Sequence, residues 1–173
     1  MRLLSTLTVL SVAALASAKI LRNTASNLCL DVETGFYPGA PLVLWPCDNL
    51  YSGDWSIEVR GENSAIIKNN AFFQDNKELC VGLFKDRAIL VQCRNEAVNF
   101  KRIANTNPKR WSFSTMIDDR EFALISDTVE RGSRLELWPV NELQDDDRRY
   151  EWSTSPKKTM YQDQLYAWMR YQV

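Results

Sequence analysis

Residues 27–55 read NLCLDVETGFYPGAPLVLWPCDNLYSGDW. Cys29 and Cys47 bracket a segment punctuated by Gly35, Pro38, Gly39 and Pro41. On its near side Leu28, Leu30 and Val32 alternate with Cys29 and Asp31, the period of two that marks a strand. On its far side Leu42-Val43-Leu44-Trp45 reads as a second short strand, and Trp55 opens a third alternation with Ile57 and Val59. With Ile20–Asn23 before the segment, the unit carries four strand signals.

The same layout returns twice. Leu79-Cys80-Val81-Gly82-Leu83 repeats the first cysteine strand, and Ala88-Ile89-Leu90-Val91-Gln92-Cys93 repeats LVLWPC. Phe100 then stands where Trp55 stood. Downstream, Phe122-Ala123-Leu124-Ile125-Ser126 occupies the cysteine strand, Leu135-Glu136-Leu137-Trp138-Pro139-Val140 matches LVLWPC, and Trp152 closes the unit. Ala123 and Val140 take the two cysteine positions of this third unit and are expected to fill a buried disulfide site.

A repeat of roughly 40–50 residues calls for a repeat architecture. One such unit cannot bury its apolar face alone, whereas three can share a core about a pseudo-threefold axis. Expected core residues are Leu28, Leu44, Leu90, Leu137, Trp55, Phe100 and Trp152. The expectation is an all-β chain, a β-trefoil of three pseudo-repeats with four strands each. A propeller also uses four strands per repeat but typically needs at least four blades. The repeats are placed at about 19–62, 63–108 and 109–155, with a C-terminal extension over 156–173. In that extension Tyr161, Leu165, Trp168 and Met169 fall at near-helical spacing, which predicts a short helix.

Residues 1–18 combine Arg2, an apolar run from Leu3 to Leu15 and the small residues Ala16-Ser17-Ala18. This is the pattern of a secretory signal peptide, with the mature chain starting near Lys19. The run is too short to span a bilayer, which takes roughly 20 apolar residues, so no membrane span is expected. In a secreted chain four cysteines imply two disulfides, and the repeat selects Cys29–Cys47 and Cys80–Cys93. A zinc site is disfavoured by the absence of any CxxC pair and of any histidine.

The sequence contains 21 basic and 22 acidic residues, a formal net charge of −1. That balance offers no basic footprint for nucleic acid. Without histidine, Ser–His and Cys–His nucleophilic machinery cannot be built. No phosphate-cradling glycine loop occurs among the six glycines. No enzyme activity, metal or cofactor is expected. The run Asp145-Asp146-Asp147 lacks EF-hand spacing and is followed by Arg148-Arg149, so it is expected to be a solvated loop.

The first unit resembles the ricin B-type lectin repeat. Cys29-Leu30-Asp31-Val32, Gly39, Val43-Leu44-Trp45-Pro46-Cys47 and Trp55 follow that pattern in order, and the likeness extends by repetition over about residues 19–155. The closing Gln-x-Trp signature is eroded: Gly53, Val98 and Tyr150 stand where the glutamine would. The resemblance implies a secreted lectin with shallow glycan sites. In each site a carboxylate accepts hydroxyl hydrogen bonds and an aromatic ring stacks on the sugar's apolar face.

Carried over residue by residue, Asp31 is the carboxylate and Trp45 the ring in unit one. Ser52 stands at or near the amide position, with Asn49 close by. Unit two has Gly82 and Val91 there and is expected to carry no such site. Unit three keeps Trp138, has Ile125 at the carboxylate position, and offers Asp127 or Glu136 as substitutes. The second expectation is a degenerate trefoil that binds a separate protein. It would serve as a cell-binding toxin subunit of the cytolethal distending toxin kind, or as a protease inhibitor presenting the loop from Glu33 to Pro41.

Overall fold

A computed structural model describes residues 19–48, 54–61, 64–70, 78–94, 96–104, 110–144 and 146–156. Strands are β1 Lys19–Asn23, β2 Cys29–Val32, β3 Leu42–Trp45, β4 Trp55–Val59, β5 Ala65–Asn69, β6 Leu79–Phe84, β7 Arg87–Gln92, β8 Lys101–Ala104, β9 Arg110–Ile117, β10 Arg120–Ser126, β11 Leu135–Pro139 and β12 Trp152–Pro156. Among the described residues the single 3-10 turn is Val140–Glu142. The signal-peptide segment, Asn49, Ser52, Asp145 and the C-terminal helix reading all fall outside the described residues.

Six strands close a ring. β1 pairs with β4, β4 with β5, β8 with β9, β9 with β12, and β12 back with β1. The link between β5 and β8 is a bridge in which Ala65 and Phe100 exchange two backbone hydrogen bonds of 2.8 Å. Closing the ring leaves no unpaired edge in the barrel.

The other six strands form three hairpins, β2–β3, β6–β7 and β10–β11, which cap one end. Each hairpin is tied to the next by a loop from its neighbour. Leu44 donates to Ser133 O and accepts from Gly132 N at 2.8 Å each. Leu90 likewise donates to Ala40 O and accepts from Gly39 N, and Leu137 donates to Asp86 O at 2.7 Å. The loop residue at the pivot has a positive φ in every unit: 97° at Gly39, 60° at Lys85 and 85° at Gly132. Two of the three are glycine, which adopts that region without a Cβ penalty. This is the β-trefoil read from the sequence.

The core lies on the inner faces of hairpins and barrel. Leu30, Leu44, Val81, Leu90, Leu124 and Leu137 line the cap, with Trp55, Phe100 and Trp152 beneath. Leu28 is half-buried and packs against this cluster from outside, so Leu30 rather than Leu28 is the core residue of β2. Two of the three closing aromatics share one task. Trp55 Nε1 donates to Leu30 O at 3.0 Å, and Trp152 Nε1 donates to Leu124 O at 3.2 Å. Phe100 has no such donor, and the equivalent carbonyl of Val81 takes the backbone N–H of Val98 at 3.1 Å instead. A buried carbonyl left unpaired costs about 1–3 kcal/mol, so the tryptophan-to-phenylalanine change comes with a local rerouting of the chain.

Disulfides join Cys29 to Cys47 and Cys80 to Cys93. The third unit departs from expectation. Ala123 is buried where Cys29 and Cys80 are, but Val140 is 37% exposed. It is the first residue of the 3-10 turn. Cys47 is itself only half-buried, so the pair replaced in unit three was never wholly interior.

Candidate functional site

In the β2–β3 hairpin the inner face takes Leu30, Val32, Leu42 and Leu44, which leaves Cys29, Asp31, Val43 and Trp45 on the outer face by strand alternation. Register sets Cys29 opposite Trp45 and Asp31 opposite Val43. Asp31 and Trp45 are diagonal neighbours, a separation that long side chains bridge. Asp31 is only 5% exposed. Its Oδ1 accepts the N–H of Val32 at 2.8 Å. Burial pushes its carboxyl up to about 6, against the opposing pull of that hydrogen bond. A desolvated acid held off its usual value marks a candidate functional group.

Trp45 is not open as the sequence implied. The guanidinium carbon of Arg131 lies 3.9 Å from the ring centroid. Arg131 comes from the unit-three loop whose Gly132 and Ser133 are bonded to Leu44. Such a cation–π contact at an exposed site is worth about 0.5–1 kcal/mol.

Unit two carries neither ring nor carboxylate. Gly82 is buried, and a Cβ built on it would lie 2.3 Å from Val91 Cγ2 and 2.9 Å from Val91 Cβ. No side chain fits between Gly82 and Val91 as they stand.

Unit three presents a different arrangement on the same outer face. Trp138 lies opposite Ala123, and Glu136 opposite Ile125. Asp127 follows β10 and donates its N–H to Arg134 O at 3.0 Å. Ile125 is fully buried, so the carboxylates stand around the usual acid position rather than at it. The carboxyl of Glu136 is pushed up, first by burial and then by the charges of Asp127 and Asp86, with Arg149 and Arg87 pulling the other way. Asp86 enters from the neighbouring β6–β7 hairpin.

Trp138 is 38% exposed and lines a cleft of about 630 Å³ together with Thr24, Glu142, Gln144, Asp147 and Arg149. Arg149 organises this cleft. It forks onto Asp147 with Nε and Nη2 contacts of 3.1 and 2.7 Å, and its Nη1 donates to Asp127 O at 3.0 Å. The Arg149 hydrogen bonds are the main reason Asp147 is held below the usual carboxylate range. The acidic run is therefore not simply solvated: Asp147 is half-buried and bonded, while Asp146 is exposed. Unit one supports the cleft floor, since buried Asn23 donates from Nδ2 to Arg149 O at 2.6 Å.

The structure thus separates the sequence candidates. Asp127, Glu136 and Trp138 come together on unit three, Asp31 and Trp45 on unit one, and Asn49 and Ser52 fall outside the described residues. Sequence reading missed Arg131, Asp86, Asp147 and Arg149. Only Arg149 carried a hint, as one half of a basic pair directly after an acidic run. Among the described residues no cluster of His, Cys, Asp and Glu is arranged to hold a metal ion, and no helix is long and apolar enough to cross a membrane.

No family model matches the sequence, and no curated protein aligns with it. Solved structures do match. A Macrolepiota procera ricin B-like lectin, solved in complex with lactose, superposes with a TM-score of 0.56 at 12% identity, over 82% of this chain and 96% of the lectin. The Haemophilus ducreyi cytolethal distending toxin gives a TM-score of 0.62 at 13% identity, over 81% of this chain and 83% of that one. A mosquitocidal holotoxin gives 0.66 at 13% identity over 83% of this chain, which spans only 18% of the toxin chain. With a closed six-stranded barrel, a three-hairpin cap and these neighbours, the chain is a β-trefoil that shares its fold with ricin B-like lectins and with the cytolethal distending toxin.

Proposed function

We propose that this protein is a secreted, non-catalytic carbohydrate-binding protein whose working site is the unit-three cleft. Trp138 supplies the ring that stacks on the apolar face of a pyranose. Asp147, in the cleft wall, accepts hydrogen bonds from hydroxyls, Glu136 and Asp127 stand beside the cleft, and Arg149 fixes Asp147 and the Asp127 backbone in place. The observation that carries this reading is Trp138, exposed beside a polar cleft on the trefoil face where the ricin-type ring stands. The lactose complex of a neighbour with this fold supports a saccharide as the ligand class.

A glycan array with the wild type and Trp138→Ala tests the reading. Wild-type protein is expected to retain saccharides in the millimolar range, about −4 kcal/mol, and Trp138→Ala to lose most of that signal. Equal signals from both proteins, or none from either, contradict it. The second reading, a protein-binding trefoil, is favoured by the loop from Glu33 to Pro41. That loop is tied at its base by Glu33 N–H to Pro41 O and on its far side by the Gly39 and Ala40 bonds to Leu90, and it presents exposed Tyr37 at its tip. Retention of a host protein that Tyr37→Ala abolishes would support it.

A further inference from the structure

We infer that Arg131 is a built-in cap on a second carbohydrate site in unit one, and that this one residue sets how well that site binds. The inference rests on the carbohydrate reading proposed for the fold. Unit one alone retains both chemical roles at their expected places, the carboxylate Asp31 and the ring Trp45, on one outer face and diagonal to each other. The ring is nevertheless covered. The Arg131 guanidinium sits 3.9 Å from the Trp45 ring centroid, the distance at which a sugar face would stack.

The contact is imposed by the fold rather than by a wandering surface chain. Gly132 N donates to Leu44 O and Leu44 N to Ser133 O at 2.8 Å, so the loop runs as a further strand-like neighbour of β3. Ser133 accepts Glu130 N at 3.2 Å through its hydroxyl and also bonds the Thr128 hydroxyl, which fixes the turn that carries Arg131. At Gly132 a Cβ would come 4.0 Å from Trp45 Cζ3, so the loop backbone itself lies against the ring. Arg134 and Glu33, 3.8 Å apart, pin the other end of the loop to the end of β2. Pseudosymmetry sharpens the point. The residue before the positive-φ pivot is Arg131 in this loop, Pro38 in unit one and Phe84 in unit two. Of these only Arg131 brings a planar cation to a tryptophan that sits beside a carboxylate.

Arg131 is exposed. Its guanidinium competes with a ligand for the ring. An exposed planar cation on a half-buried ring is a weak occupant that a sugar displaces at a cost of about two- to fivefold in affinity.

The test uses the full protein with lactose and a panel of neutral mono- and disaccharides, read by titration of intrinsic tryptophan fluorescence. In a Trp138→Ala background, which silences unit three, adding Arg131→Ala is expected to tighten binding about two- to fivefold. Adding Trp45→Ala to that pair is expected to abolish it. Acrylamide quenching of Trp45 should rise in Arg131→Ala before any sugar is added. Unchanged affinity with a folded Arg131→Ala protein, or a gain that survives Trp45→Ala, overturns the inference. Arg131→Lys, which keeps the charge and drops the plane, serves if the alanine variant does not fold, and is expected to gain likewise. If wild-type binding depends on Trp138 but Arg131→Ala adds nothing, the cap falls and the unit-three reading stands. If wild type binds nothing and Arg131→Ala binds, the reverse holds.

Discussion

Asp31→Asn is expected to make the protein more stable at pH 7, and the gain is expected to vanish on acidification. Asp31 is buried, accepts the Val32 N–H and sits opposite apolar Val43. Burial raises its carboxyl from 3.8 to about 6. A separation of that size between folded and unfolded states corresponds to about 3 kcal/mol. About 1–3 kcal/mol is the working range. The sign follows from linkage. The folded state holds the proton more tightly, so the contribution is favourable below pH 4 and is lost as pH rises through 6. Asparagine has the same shape, keeps an oxygen for Val32 N–H and carries no charge to desolvate. Urea unfolding of both proteins at pH 4, 5, 6 and 7 reads the effect. In a chain of this size each kcal/mol also moves Tm by about 2–4 °C. Equal midpoints at pH 7, or a difference that does not shrink toward pH 4, would refute burial as the cause. If confirmed, Asp31 is a carboxylate retained at a cost in stability, as expected of a group kept for binding.

Ser126 stands in the cap at the place taken by Val32 in unit one and Leu83 in unit two, and its buried hydroxyl has no partner among the described residues. Ser126→Val should stabilise by about 1 kcal/mol, measured by thermal denaturation; a loss of stability would show that the hydroxyl is bonded. Gly82→Ala should cost about 1–3 kcal/mol by overpacking against Val91, with Val91→Ala in the same chain restoring most of it; equal stability of Gly82→Ala and wild type would contradict the 2.3 Å approach. Trp152→Phe should cost at least about 1–3 kcal/mol by orphaning Leu124 O, more than a conservative change of ring would suggest, and denaturant midpoints decide it.

The architecture was legible because each unit writes its role locally. The Leu-Trp-Pro strand, the cysteine spacing and the closing aromatic recur at similar intervals, and period-two alternation shows which side chains face inward. Phe100 could be placed by position alone. What could not be read was whatever one unit does to another. Arg131 reaches Trp45 across a long stretch of sequence, and Asp86 acts on Glu136 from a different hairpin; neither has a local periodicity. Val140 went wrong for a related reason. Its place in the repeat matches Cys47, but the chain enters a 3-10 turn at that residue, and nothing in the repeat encodes that turn. Asp147 was misread because a run of acids looks solvated until the arginine that folds back on it is seen.

An exposed tryptophan on unit three, and not the two that close the barrel, is expected to meet the ligand. Indole N–H resonances of the isotope-labelled protein, titrated with lactose and the neutral saccharide panel, test it directly. The Trp138 indole signal is expected to shift with saturable dependence while those of Trp55 and Trp152, bonded to Leu30 O and Leu124 O, stay fixed. A Trp138 signal unmoved by every saccharide, or movement confined to the buried pair, would contradict it.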